Sequence, residues 1–315
     1  MKKNNLLLFG LLLSSAIVGC NNKTSTTPTQ DTLRVDVGSE IPTFDPALAE
    51  DGYTFRVIAD LFAGLVDFDQ ANRPISGMAT WDISADGLTY TFHLKPDLKF
   101  SNGSSITASD FVYSWQRLVN PKTGSAYDFL LKDIVNADEI IAGKLPASKL
   151  AVEAADANTF VVHLAHPTNA FLSYITTPDV FVVPQKVIEK FGESWTLPQN
   201  IVTSGAYNLK EHVVNGYILV EKNPLYYQES QVTIKYVKYF PFVDINASVA
   251  NYKTGALDTT WQAVPVDQYE TLKKQYPEQL HSFPWERVEF ININMTLPKY
   301  ANNPKLRQAL SMAID

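Results

Sequence analysis

Between residues 84 and 118 the hydrophobic period changes from two to 3.6, and that switch limits the folds open to the chain. In "LTYTFHLK" the residues Tyr90, Phe92 and Leu94 share one face of a strand, and Asp86-Gly87 just before them is a turn signal. In "TASDFVYSWQRL" the apolar positions Phe111, Trp115 and Leu118 fall at helical spacing. Thr107 stands where a helix cap belongs, with Asp110 at the third helical position of a capping box. A strand then returns in "TFVVHLA", with Phe160, Val162 and Leu164 on one face. An α/β fold is therefore expected, because a strand face and a helix stripe must each be buried against another element.

The rest of the chain extends this pattern without strict βαβ alternation. "TLRVDVGSE" alternates at Leu33, Val35 and Val37, and "YILVEKN" and "VTIKYVKYF" read as further strands. "YTFRVIADLFAGL" places Phe55, Ile58, Leu61, Phe62 and Leu65 at helical spacing, with Gly64 near the expected end. "PQKVIEKFG" and "INASVANYKTG" read as helices closed by Gly192 and Gly255. In "NNPKLRQALSMAID" Asn303 can cap, Pro304 suits the first helical position, and Leu306, Leu310 and Ala313 share a face. The 315 residues are enough for about two domains, so more than one subdomain is expected.

Charge and motifs exclude several functions. The net charge is −7 and no Lys/Arg cluster is present, which argues against nucleic-acid binding. The phosphate-binding loops, the nucleophile elbow and the zinc helix motif are all missing. His163 and His166 are the closest of five histidines, and their odd spacing on a strand points them to opposite faces, which does not suit a shared metal. No metal or cofactor is expected. Scattered Ser, Asp and His residues leave a secreted hydrolase open as an alternative, with no set favoured.

Cys20 is the single cysteine, so no internal disulfide can form. It follows a basic start at Lys2 and Lys3 and an apolar run from Leu6 to Leu13 that is too short to span a bilayer. Residues 1–19 read as a signal peptide. Ile17-Val18-Gly19-Cys20 resembles the bacterial lipobox, which implies a lipid on Cys20. Residues 20–31 read as a flexible tether, since 21–31 hold no apolar residue. The expected location is extracytoplasmic, in the periplasm or on the outer face of the cell membrane.

The block "ATWDISADGLTYTFHLKPDLKFSNGSSITASDFVYSWQRL" at 79–118 closely resembles the extracytoplasmic solute-binding proteins of ABC importers, in the oligopeptide/dipeptide branch (bacterial family 5). "GSEIPTFDPALAEDG", "DLFAGLVDFD", "NIVTSGAYNLKEHVVNG", "EKNPLYY", "NYKTGALDTTWQAVP" and "NPKLRQALSMAID" follow the family order. The resemblance implies a periplasmic-binding-protein-like fold (type II, cluster C). In it, 32–63 and 182–285 would form the α/β core of a first lobe and 64–181 an inserted β-rich domain. Residues 286–315 would begin a second lobe that is largely missing, and a chain truncated there is expected to bind peptide weakly or not at all.

The resemblance further implies a lipid-anchored monomer that captures extended oligopeptides for the permease and ATPase subunits of an importer. An alternative on the same fold is a lipoprotein with a chaperone or receptor role. Glu50, Asp51 and Gly52 align with the segment that pairs with the peptide backbone in oligopeptide binders, and Tyr127 with a tyrosine of the cleft wall. Ser204-Gly205-Ala206-Tyr207 matches a family turn, with Gly205 expected to serve the backbone conformation. Glu289, Phe290 and Ile291 stand where many oligopeptide binders carry a run of tyrosines.

Overall fold

The computed structural model describes residues 31–261, 263–283 and 290–314. Cys20, the signal peptide, the tether up to residue 30, and Glu289 lie outside the described residues. The chain divides into two compact units, one ending at Val264 and one starting at Pro265.

Among the described residues, the first unit contains ten strands. They are β1 (Thr32–Asp36), β2 (Val66–Phe68), β3 (Pro74–Ser76), β4 (Ala79–Ile83), β5 (Thr89–Leu94), β6 (Val152–Ala154), β7 (Thr159–His163), β8 (Tyr207–Val213), β9 (Tyr217–Lys222) and β10 (Tyr236–Phe240). Its helices are α1 (Gly52–Leu61), α2 (Ala108–Leu118), α3 (Ala137–Ile141), α4 (Phe171–Tyr174), α5 (Gln185–Phe191) and α6 (Ile245–Lys253). One four-stranded sheet runs β1-β10-β9-β8, with β1 parallel to β10 and the other pairs antiparallel. A second, fully antiparallel sheet runs β4-β5-β7-β6, and β2 pairs with β3.

Each sheet backs its own core. Phe92, Phe111, Trp115, Phe160 and Phe171 anchor one. Val57, Ile58, Phe62, Trp195, Val220 and Tyr239 anchor the other. The first core forms because Tyr90, Phe92, Phe160 and Val162 face inward from paired strands while Phe111, Trp115 and Leu118 of α2 close over them. Trp115 meets Phe160 edge to face at 5.0 Å, and its indole N–H donates to the Val180 carbonyl at 2.9 Å, so its buried donor is paired. At the start of α2 the Asp110 carboxylate accepts from the Thr107 N–H at 2.8 Å, which is the expected capping box.

Two expectations need correction. The periodicity of "YTFRVIADLFAGL" carries the helix past Phe62, yet α1 ends at Leu61 and Phe62 is extended. The reason is tertiary. The Leu61 carbonyl accepts from the N–H groups of Ser204 and Gly205, which replace donors from a further helical turn. Gly64 therefore does not cap the helix; a Cβ there would come within 2.6 Å of the Phe181 ring, so its role is close packing. Gly205 also differs from expectation. Its φ is not left-handed, and a Cβ on it would meet the backbone of Leu61 and Phe62 at 2.6 Å. Closeness to α1, not conformation, requires glycine there.

The second unit holds α7 (Tyr269–Gln275), α8 (Pro298–Ala301) and α9 (Pro304–Met312). Asn303 caps α9 by accepting from the Leu306 N–H at 3.0 Å, with Pro304 at the first position. No residue of α9 is buried. Among the described residues, no helix is long and apolar enough to cross a membrane.

Candidate functional site

The segment before α1 combines a cap with unpaired main chain. Asp51 is the helix N-cap. One carboxylate oxygen accepts from the N–H groups of Tyr53 and Thr54 at 2.9 Å, and the other accepts from the Thr54 hydroxyl at 2.9 Å. These bonds occupy its side chain with holding the helix end. Among the described residues, neither Glu50 nor Asp51 gives its own N–H to a backbone carbonyl. Glu50 and Gly52 are exposed, and a Cβ on Gly52 would point into open space.

Tyr127 stands directly against this segment. Its hydroxyl lies 3.5 Å from the Glu50 carbonyl oxygen, and its ring meets Phe55 edge to face at 5.4 Å. Burial, followed by the carboxylates of Asp179, Glu50 and Asp51, pushes the phenol above its ordinary value, so it remains a protonated donor at neutral pH. The four residues singled out from the sequence, 77 positions apart at their extremes, thus share one surface.

A cavity of about 450 Å3 opens beside Gly52. Phe55, Phe62 and Ala59 come from α1 and its end, Val66 and Phe68 from β2. Thr176, Pro178 and Phe181 form another wall, and Tyr226, Tyr227 and Trp261 complete it. Aromatic rings dominate the lining. Tyr226 and Tyr227 meet edge to face at 4.7 Å, and burial pushes both phenols up.

Two charged residues line the cavity, Arg56 and Asp67. Arg56 is matched by Asp60 one helical turn on, at 3.3 Å, and its guanidinium lies 5.4 Å from the Trp261 ring and 6.0 Å from that of Tyr239. The Tyr239 hydroxyl donates to the same Asp60 carboxylate. Burial raises the Asp60 carboxyl, while Arg56 and Tyr239 act to keep it ionised. On the other side, Asp67 interacts electrostatically with Lys95, whose ammonium sits 4.9 Å from the Tyr227 ring.

Sequence reasoning missed Arg56, Tyr226, Tyr227 and Trp261, whose proximity depends on long-range contacts. It also missed Asp179, which is 3% exposed and has no hydrogen-bond partner for either carboxylate oxygen. A lone acid inside "PDVFVVP" was the available signal. Burial pushes this carboxyl up to about 7. The histidines go separate ways: His163 Nδ1 lies 3.2 Å from the Thr89 hydroxyl, and His166 lies 3.3 Å from Asp133.

Exposed main chain next to an aromatic cavity suits holding a ligand, and the class of protein it describes is a binding protein. The chain belongs to the bacterial extracellular solute-binding proteins, family 5, with residues 44–315 matching the part of that family described as "Middle". The periplasmic oligopeptide-binding protein OppA of Salmonella typhimurium is 39% identical over 288 residues, covering 91% of this chain and 53% of that protein. The probable deoxycholate-binding periplasmic protein YgiS of Escherichia coli is 35% identical over 320 residues, covering 100% of this chain and 59% of that protein. The crystal structure of Haemophilus influenzae OppA in complex with RPPGFSPFR superposes with a TM-score of 0.76 at 37% identity, covering 78% of this chain and 49% of that one. The chain spans about half the length of the curated relatives it matches. Its fold is that of the OppA-like periplasmic binding proteins, mixed α/β throughout.

Proposed function

We propose that this chain carries the peptide-holding first lobe of a lipid-anchored, substrate-binding component of an ABC peptide importer. The observation that carries the reading is the segment Glu50-Asp51-Gly52. It offers unpaired N–H groups beside the Tyr127 hydroxyl, so an extended peptide can add there as a strand and be held by groups that every peptide has. Side chains then project toward the cavity.

In this reading 32–63 and 182–285 form the α/β core of the lobe and 64–181 the inserted β-rich domain. Between Val35 and Tyr239 the division is supported by two hydrophobic cores whose buried residues, Ala47 excepted, change over between Phe62 and Ala63 and again between Val182 and Val183. Residues 286–315 begin the second lobe. Cys20 carries the lipid, and the partners are the permease and ATPase subunits at the membrane.

Titration of the chain with short peptides, followed by amide NMR, tests the binding step. Shifts at residues 50–56 and Tyr127, spreading to the cavity lining, are expected, and the peptides should be recovered intact. Binding by this chain is expected to be weak; no shift even at the highest soluble peptide concentration would refute the reading, and cleaved peptides would favour a hydrolase. Loss of peptide uptake on deletion of the gene, restored by complementation, tests the transport role.

A further inference from the structure

We propose that the cavity between α1, β2 and the Tyr226-Tyr227 pair is a subsite for one aromatic side chain of the bound peptide; this rests on the peptide reading above. The cavity opens next to Gly52, at the segment proposed to pair with the peptide backbone, so a side chain leaving that strand meets it directly. Its volume of about 450 Å3 holds a ring with room to turn edge-on to its neighbours. Phe55, Phe181, Tyr226, Tyr227 and Trp261 offer both ring faces and ring edges, which suits edge-to-face and offset contacts with a further aromatic group.

Charge decides against other side chains. Arg56 is paired with Asp60, and Asp67 is exposed, its carboxylate accepting from the Phe68 N–H at 2.8 Å. A Lys, Arg, Asp or Glu side chain entering would give up water for a lining made largely of rings and apolar carbon. A small side chain would leave the rings facing an unfilled void. The cavity therefore selects for Phe, Tyr or Trp against both charged and small residues.

The test compares Ala-Phe-Ala, Ala-Trp-Ala, Ala-Glu-Ala, Ala-Lys-Ala and tri-alanine by NMR titration, with N-acetyl-phenylalaninamide as a probe of the cavity alone. The aromatic peptides are expected to bind about tenfold more tightly than the other three, a ratio that corresponds to one well-buried ring. Ala59 is exposed and lines the cavity, so Ala59→Trp fills it from a helix surface without disturbing a core. That variant should bring the aromatic peptides to the affinity of tri-alanine. Phe68→Ser, at a position 53% exposed, removes one wall and should reduce the ratio.

Equal affinities across the five peptides, or an unchanged ratio in Ala59→Trp, would overturn the subsite while leaving peptide binding intact. Binding of N-acetyl-phenylalaninamide at Trp261 without binding of any peptide would overturn the peptide reading and, with it, the subsite as a peptide site. Absence of both would overturn the two together.

Discussion

Asp51 combines two roles that a single pair of substitutions can separate. Its carboxylate holds the first turn of α1 through Tyr53 and Thr54, while its N–H remains available to a ligand. Asp51→Ala is expected to cost about 1 kcal/mol of stability, and Asp51→Asn much less, since asparagine also caps. If the main chain holds the peptide, Asp51→Asn should bind peptide as the parent does; urea unfolding and the peptide titration measure the two effects. Asp179 makes a different statement. Its folded-state carboxyl is raised to about 7 from 3.8, so between those values the folded state binds more protons than the unfolded one. Stability contributed by this group is then present at low pH and is lost as pH rises toward 7. Asp179→Asn should flatten that part of the profile and raise the melting temperature at pH 8 relative to the parent. An unchanged difference between pH 5 and pH 8 would show that the carboxylate finds a partner.

At the scale of elements, the junction of α1 with the Ser204–Tyr207 turn sets where the helix stops. Gly205→Ala puts a methyl group within 2.6 Å of the Leu61 carbonyl carbon, with backbone rather than a flexible side chain on the other side. Overpacking of this kind costs about 1–3 kcal/mol. Because Ser204 and Gly205 terminate α1, the change should also alter helix protection at residues 58–61, which amide hydrogen exchange reads directly. The same junction shows what the sequence could reveal. Alternation at Tyr90, Phe92 and Leu94, the capping box of α2 and the glycine stop after α6 are local signals, and each element appears where its signal lies. The end of α1 was not legible, because the donors that replace the next turn lie more than 140 residues downstream. The cavity was hidden for the same reason: Ala59, Thr176, Tyr226 and Trp261 meet only after both sheets have formed. Resemblance to a family is what singles out Glu50, Asp51, Gly52 and Tyr127 as candidates; local pattern alone marks none of them.

For the first unit as a whole, buried polar contacts tie the two cores: the Ser114 hydroxyl of α2 accepts from the Val183 N–H at 3.0 Å, and a charged junction centres on Asp45. The Asp45 carboxylate accepts from the Arg117 guanidinium at 2.8 Å through Nη1 and again through Nη2, from the Trp195 indole at 3.1 Å, and from the Ala47 N–H at 3.1 Å. Arg117 is on α2, which packs into one core, whereas Trp195 belongs to the other. All four donors lose their acceptor in Asp45→Ala, and the arginine is left as a largely buried cation. Removing one partner of such a pair costs about 3–5 kcal/mol. The cost should fall on the coupling between the cores as well as on the total. Trp115 and Trp195 report on one core each, and both are fully buried. In the parent, fluorescence from single-tryptophan variants retaining either residue should follow one shared urea transition. In the Asp45→Ala background the two midpoints should separate, the mark of cores that no longer unfold together. Coincident midpoints at a lower urea concentration would mean that the remaining contacts, apolar packing and the Ser114 and Ser204 hydrogen bonds, couple the two cores, with the Asp45 junction contributing stability but not cooperativity.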